Sequence, residues 1–348
     1  MQSPVDTIKE RLSITDVLSS YITLTESGKN FKARCPFHNE KTPSFYVSPD
    51  RNSYYCFGCG AKGDIFSFVQ HFEGTDFLGS LKLLAEKAGV QLQNFKKEKG
   101  ADEKELAYEI MEEATKFFES NFGKNVEARA YLVGRGMSDS TIKLFRVGYA
   151  RDEWRSLFEY LSKLGYKKED LEKVGLVKSK DSSTYDRFRS RIMFPISDSS
   201  GRVIAFSGRI FGKPDSEEAK YLNSPDTLLF NKSNVLFGID KAKSAIRTRG
   251  YTIVVEGQMD LILSHQAGFA NTVAVSGTAF TDNVEDNESK INNFGLIRRL
   301  SSNVIFAFDG DEAGIRAATR SSMIALSLDM QVKVAVLPIG KDPADIIL

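Results

Sequence analysis

Three cysteines and one histidine constrain this chain more tightly than any other feature of its sequence. Cys35-Pro-Phe-His38 and Cys56-Phe-Gly-Cys59 form two ligand pairs, with two residues inside each pair and seventeen between them. This spacing lets each pair sit on one tight turn, and two such turns close a tetrahedron around Zn2+. Thiolate and imidazole are ligands that zinc favours. Four protein donors leave no coordination position open, so one structural zinc is expected at Cys35, His38, Cys56 and Cys59. All three cysteines of the chain fall in this window, an odd number that suits a metal better than disulfides. His71 and His265 lack ligand-like neighbours and read as packing or surface residues.

The segments around these ligands, FKARC, SFYVSP and SYYCF, are aromatic and β-branched runs broken by Pro, Asn and Gly, which predicts a small antiparallel sheet. It holds few apolar residues, so metal binding should supply part of its folding free energy. Phe31, Lys32, Arg34, Phe45, Tyr46, Arg51, Tyr54, Tyr55 and Lys62 interleave rings with charge, a mixture suited to tracking single strands. Half of these rings would serve equally well as the core of the sheet.

Helical periodicity is read in short helices over 3–24, at 64–72 and at 77–88, with Gly89 as the terminating residue. Residues 94–104, NFKKEKGADEK, are charged and almost free of apolar side chains, and read as a linker. A zinc domain over 1–93 would then precede it. Residues 105–240 mix helices at 106–122, 126–133 and 154–164 with the strand-like runs RIMFPIS and GRVIAFSGRIF. From 241 to 348 the pattern simplifies to apolar runs (TIVVEG, TVAVSG, NVIFAFDGD, VKVAVLPIG) alternating with helical stretches. Such alternation means a parallel sheet covered on both faces. The fold class expected is therefore multidomain α+β, a small antiparallel zinc-ribbon-like domain followed by a mixed subdomain and a Rossmann-like one.

The net charge of +1 conceals segregation. Lys and Arg less Asp and Glu give 12 − 6 = +6 over 187–249 and 7 − 12 = −5 over 250–348. A basic block beside an acidic one suits an enzyme that holds phosphates on one surface and metal ions on the next. The chain contains no run of about 18 apolar residues and no apolar signal core at its start, so no membrane partner and a cytoplasmic location are expected.

In the acidic block, three apolar strands end in carboxylates. Glu256, with Asp260 one helical turn on, follows the first; Asp309 and Asp311 follow the second; Asp342 and Asp345 follow the third. Asp-Gly-Asp or Asp-Pro alone would pass as turn chemistry. Three such ends on adjacent parallel strands would instead gather carboxylates at one rim, where mutual repulsion raises their pKa values unless a divalent cation compensates. Gly257 and Gly310 fit there as thin backbone beside phosphate and metal.

EGQMD, SGT, DGDEAG and DPAD resemble the toprim domain shared by bacterial primases, type IA and type II topoisomerases and some nucleases. The segment from Cys35 through CFGCGAKGDIFSFV resembles the zinc-binding domain of bacterial primases. YLVGRGMS, RFRSRIMFPI, GRVIAFSGR and KYLNSPDTLLFNKSNVLFG resemble their catalytic core, so the likeness spans nearly the whole chain. It implies Glu256, Asp309 and Asp311 as catalytic metal ligands for Mg2+ or Mn2+, supported by Asp260, Asp342 and Asp345. It implies Arg135, Arg189, Arg209, Lys220, Tyr221, Asn223 and Lys232 as template and nucleotide contacts. The function implied is synthesis of short RNA primers from ribonucleoside triphosphates on single-stranded DNA during replication. The partners implied are that template, a replicative helicase reached through a C-terminal domain beyond this sequence, and single-strand-binding protein.

There are departures from the family pattern. Gln258 stands where an aromatic is usual, VAVSGT replaces VASLGT around Thr278, and Asp345 comes one place later than in the common DPD. Residues 281–295 resemble an insertion, and the sequence stops soon after its last acidic motif, as a truncated fragment would. Two rival functions stay open at this point, a toprim topoisomerase or nuclease and a non-catalytic zinc-dependent single-strand-binding protein.

Overall fold

The computed structural model describes residues 3–38, 40–92, 102–180, 183–212, 218–232, 235–275 and 293–347. Two compact units divide between Lys97 and Glu98. Most of the linker expected at 94–104 lies outside the described residues, as do Thr278 and residues 281–292 of the insertion.

The first unit opens with α1 (Pro4–Arg11) and α2 (Ile14–Ser19). A five-stranded antiparallel sheet follows in chain order: β1 (Thr25–Ser27), β2 (Asn30–Ala33), β3 (Phe45–Ser48), β4 (Ser53–Cys56) and β5 (Lys62–Gly63). It is completed by α3 (Ile65–Glu73) and α4 (Phe77–Ala88). Asp64 and Asp76 cap these last two helices by accepting backbone N–H bonds, and Gly74 and Gly89 end them in the left-handed conformation, which glycine adopts without steric cost. Strand alternation sorts the rings. Phe45 and Tyr54 point inward, are fully or almost fully buried, and stack at 4.9 Å. Tyr46 and Tyr55 are cross-strand partners on the opposite face, with Lys32 and Lys62 paired to them from the outer strands.

The second unit begins with α5 (Asp102–Lys124), α6 (Val126–Gly134), α7 (Asp139–Leu144), β6 (Gly148–Ala150), α8 (Ser156–Lys163) and α9 (Lys168–Lys173). A hairpin of β7 (Val177–Lys180) and β8 (Ser183–Asp186) leads to β9 (Arg191–Ser197), β10 (Val203–Ile210) and β11 (Tyr221–Asn223). The order β11-β10-β9-β6 makes an antiparallel sheet, and all seven residues of β9 are buried. Helix α5 lies directly on β6, because Gly148 has no side chain to hold it off. A Cβ there would sit 2.4 Å from Phe118 Cβ and 2.8 Å from its carbonyl carbon.

The remainder runs α10 (Ile239–Arg249), β12 (Thr252–Val255), α11 (Gln258–Gln266), β13 (Thr272–Ala274), α12 (Asn293–Leu300), β14 (Asn303–Phe306), α13 (Glu312–Ser327), β15 (Gln331–Val334) and α14 (Pro343–Ile347). Its strands are parallel in the order β13-β12-β14-β15. The chain leaves β12 to one side for β13 and then crosses to β14 on the other, so strand order reverses at β12. Crevices at the carboxyl ends of strands flanking such a reversal are where open α/β sheets bind ligands. The last strand is shorter than the apolar run 332–337 suggests, since pairing stops near Val334 and the chain turns back at 338–341 onto Gly310. Residues 293–295, read as part of the insertion, belong to α12. Among the described residues no helix is long and apolar enough to cross a membrane.

Replacing Gly148 by Ala should lower the stability of this unit by about 1–3 kcal/mol through overpacking against α5. A fall in the urea midpoint at unchanged zinc content would be the expected outcome; an unchanged midpoint would contradict the close approach.

Candidate metal centres and nucleic-acid interface

The expected zinc ligands converge. The ligand atoms of Cys35, His38, Cys56 and Cys59 all lie within 4.8 Å of one another. Cys35 Sγ and Cys59 Sγ are 3.8 Å apart, as are Cys56 Sγ and His38 Nδ1. A tetrahedron with Zn–S bonds of about 2.3 Å has edges of about 3.8 Å, so these two donor pairs already stand near the separation zinc requires. Turns build the cradle: Phe37 N–H and Cys59 N–H point at Cys35 and Cys56 sulfur, at 3.4 and 3.5 Å. Burial pushes the Cys35 thiol up, and the neighbouring Cys56 and Cys59 add to the rise, a cost that a bound cation reverses. Gly58 passes so close that a Cβ would sit 2.4 Å from His38 Nε2.

The acidic residues gather at the strand-order reversal. Glu256 follows β12 and accepts the Asp309 N–H at 3.1 Å. Asp311 caps α13 by accepting from Gly314 N–H at 2.8 Å, and Asp260, in the first turn of α11, accepts from Ala344 N–H at 3.4 Å. Burial, then Glu256, Asp260, Asp342 and Asp311, push Asp309 up to about 7. Burial and Asp342 push Asp260 up to about 6; burial and Asp311 raise Glu256 against the opposing Asp309 N–H. Asp309 Oδ1 is buried and finds no hydrogen-bond partner among the described residues. Hard oxygen donors, mutual repulsion and an orphaned buried carboxylate oxygen fit a divalent cation. These acids are spread more widely than the zinc ligands, since among the described residues only the Cys/His set draws three or more ligand atoms within 4.8 Å. Asp345 takes a different place, giving its N–H to Asp342 at 2.7 Å and standing 3.8 Å from Lys341 Nζ.

The glycines correct an expectation. Gly310 is thin for the sake of protein backbone rather than a ligand: a Cβ would lie 2.2 Å from Pro338 O, and Gly310 N–H donates to Lys341 O at 2.8 Å. That contact carries Asp342 toward Asp309. A Cβ on Gly257 would meet Asp260 Oδ2 at 2.7 Å. The unusual Gln258 is buried, and its Nε2 donates to Ser207 Oγ at 3.0 Å, tying α11 to β10.

Of the basic candidates, Arg209 and Tyr221 meet: Arg209 Nη1 donates to Tyr221 OH at 3.0 Å, and the guanidinium lies 5.6 and 5.5 Å from the Tyr131 and Tyr221 ring centres. Asp260 contributes to the raised Tyr221 hydroxyl, after burial and against Arg209, so this group borders the acidic rim. Asn223 O accepts from Arg187, which sequence reasoning passed over, at 2.9 and 3.3 Å. Arg191 was missed too; it is buried and donates to Gly208 O, Ala219 O and Glu218. Arg189 takes other partners, stacking 4.0 Å over Trp154 and donating to Asp186 O. Lys220 is exposed, Arg135 ends α6, and Lys232 gives its backbone N–H to Asp226 at 3.0 Å. In the first unit, Phe57 is 72% exposed and packs edge-on against Tyr46 and Tyr55, extending that aromatic face beyond the rings picked out in the sequence.

A Cys/His zinc ribbon in the first unit and, in the second, a parallel sheet bearing carboxylates at its strand-order reversal define a class of metal-binding protein. Three families match successive stretches: the CHC2 zinc finger over residues 1–100, the N-terminal domain of the DNA primase catalytic core over 117–243, and the Toprim domain over 250–337. The DNA primase of Clostridium acetobutylicum is 37% identical over 348 residues, covering 99% of this chain and 56% of the relative. The crystal structure of the zinc-binding and RNA polymerase domains of Aquifex aeolicus primase matches with a TM-score of 0.64 at 33% identity, over 100% of this chain and 82% of that one. A DnaG primase catalytic domain bound to single-stranded DNA matches with a TM-score of 0.60 at 33% identity, over 71% and 76%. The chain belongs to the DNA primase family. It spans about half the length of the curated relatives it matches.

Asp309 and Asp260 lie above the usual Asp value of 3.8, at about 7 and about 6. Their neutral forms therefore favour the fold at low pH, and that stability is lost as pH rises from about 4 to about 7. A divalent cation should raise the unfolding temperature at pH 8 and leave it almost unchanged at pH 5.5. Equal shifts at both values in calorimetry would contradict cation binding at these acids.

Proposed function

We propose that this chain makes short RNA primers by template-directed nucleotidyl transfer from ribonucleoside triphosphates on single-stranded DNA. The observation that carries the reading is Asp309, a half-buried carboxylate with one buried, unpartnered oxygen, raised by four acidic neighbours at the strand-order reversal. Glu256, Asp309 and Asp311 would hold Mg2+ or Mn2+, with Asp260, Asp342 and Asp345 in support. When bound, such a cation neutralises phosphate oxygens and eases ionisation of an attacking hydroxyl. The wide spread of the acids agrees with this, since Mg2+ is usually held by one or two carboxylates and completed by substrate phosphates.

The chain's own residues would do the positioning. Arg209, clamped by two tyrosines of which Tyr221 feels the Asp260 charge, presents a fixed guanidinium for a phosphate. Lys220, Asn223, Lys232, Arg135 and Arg189 would extend that basic surface along template and nucleotide. In the first unit, the face carrying Lys32, Tyr46, Tyr55, Phe57 and Lys62 would stack bases and neutralise phosphates of the template. A replicative helicase and single-strand-binding protein would be the replication partners, with the cytoplasm as the setting.

Asp309→Asn removes a charge while keeping the shape. Incorporation of labelled ribonucleotides on a single-stranded template should fall by about 100-fold or more, with the unfolding midpoint in the absence of divalent cation unchanged or raised. Wild-type incorporation by this variant would refute the assignment.

A further inference from the structure

Glu40 has no part in the ligand set, yet its carboxylate touches two of the four ligand residues. Its Oε1 accepts Cys35 N–H at 2.6 Å and Ser44 N–H at 3.0 Å. Its Oε2 accepts the Ser44 hydroxyl and lies 3.2 Å from His38 Nε2. The side chain is 11% exposed. An ionised carboxylate only accepts hydrogen bonds and offers about four lone-pair directions, and here all four have a partner. At the fourth contact His38 Nε2 must therefore be the donor. A neutral imidazole with its proton on Nε2 has its free lone pair on Nδ1, and Nδ1 is the atom that stands 3.8 Å from Cys56 Sγ.

We infer that Glu40 is a positioning residue of the zinc site, fixing His38 in the tautomer that binds zinc through Nδ1 while its other oxygen holds the backbone of Cys35 and Ser44 in place. The inference rests on the zinc site described above. Carboxylates in this relation to a ligating histidine orient the ring and raise its basicity, and losing them commonly weakens metal binding 10- to 100-fold. One carboxylate thus serves both ligands of the Cys35–His38 turn, and through Ser44, whose hydroxyl is 3.3 Å from Cys56 Sγ, it reaches the second turn as well.

Glu40→Gln separates these roles. The amide oxygen can still accept from Cys35 and Ser44 N–H, and the amide nitrogen can donate to the Ser44 hydroxyl. Facing His38 Nε2, however, that nitrogen favours the opposite tautomer. Zinc affinity of the full chain, measured by competition with a chromogenic chelator, should fall about 10- to 100-fold in Glu40→Gln. In a His38→Cys background, where no imidazole needs orienting, adding Glu40→Gln should change affinity less than twofold. An unchanged affinity in the first case, or an equal loss in both backgrounds, would overturn the inference. Wild-type protein gives an answer that needs no variant to fold. It has three histidines, and long-range nitrogen–proton spectra of the zinc-loaded, 15N-labelled chain should show one with Nε2 protonated and Nδ1 metal-bound. A zinc-bound Nε2 would refute the assignment. Wild-type protein that binds no zinc would refute the zinc site itself, separately from the role of Glu40.

Discussion

The second unit is organised around a repulsion. Asp309 sits half-buried at the carboxyl end of a parallel sheet with four other carboxylates close enough to raise its affinity for a proton. Nothing in a hydrophobic core would assemble such a group, and Asp309, Asp260 and Glu256, whose raised pKa values mark the strain, cost the fold free energy at neutral pH. What holds it together is backbone. Gly310 lets the 338–341 turn approach to hydrogen-bond distance, Gly314 lets α13 begin against the Asp309 carbonyl, and Glu256 takes the Asp309 N–H. The sheet around these atoms is apolar and closely packed, so the charges cannot relax apart by small shifts.

The first unit solves a different problem. Phe45, Tyr54, Phe68 and Phe37 form an aromatic cluster beneath a sheet of short strands. The turns carrying the zinc ligands have little apolar surface of their own, and the metal site substitutes for it. In both units polar atoms are concentrated where a bound cation would offset their cost, in a soft-ligand cage in one and at a hard-ligand rim in the other.

Much of this was legible in the sequence because its signals are local. Two-residue spacing within ligand pairs, Gly89 ending a helix, and four apolar runs alternating with helices each reflect geometry over a few residues. The acids were legible as strand-end residues, and their shared rim follows from a parallel sheet. Features set by tertiary partners were not. Arg191 looks like surface charge, yet it is buried because Gly208, Ala219 and Glu218 surround it. Phe45 and Tyr46 look alike in the sequence, and only strand register decides which is core. The purpose of Gly310 depended on a segment about thirty residues away. Glu40 went unnoticed because a second layer of hydrogen bonds has no spacing rule of its own.

The bond from Gln258 to Ser207 has a consequence for how such a chain can tolerate change. Ser207 and Arg209 alternate onto the same face of β10, and Gln258 is two residues from Glu256. A single residue inserted between the Val203–Ala205 irregularity and Ser207, if no further bulge absorbed it, would turn both Ser207 and Arg209 to the opposite face, breaking the tie to α11 and pulling the guanidinium from its tyrosines at once. The turn between β9 and β10 can vary in length without that penalty. A change of length between that irregularity and Arg209 is therefore costlier than one in the turn, although the reason lies in strand register and not in any metal ligand.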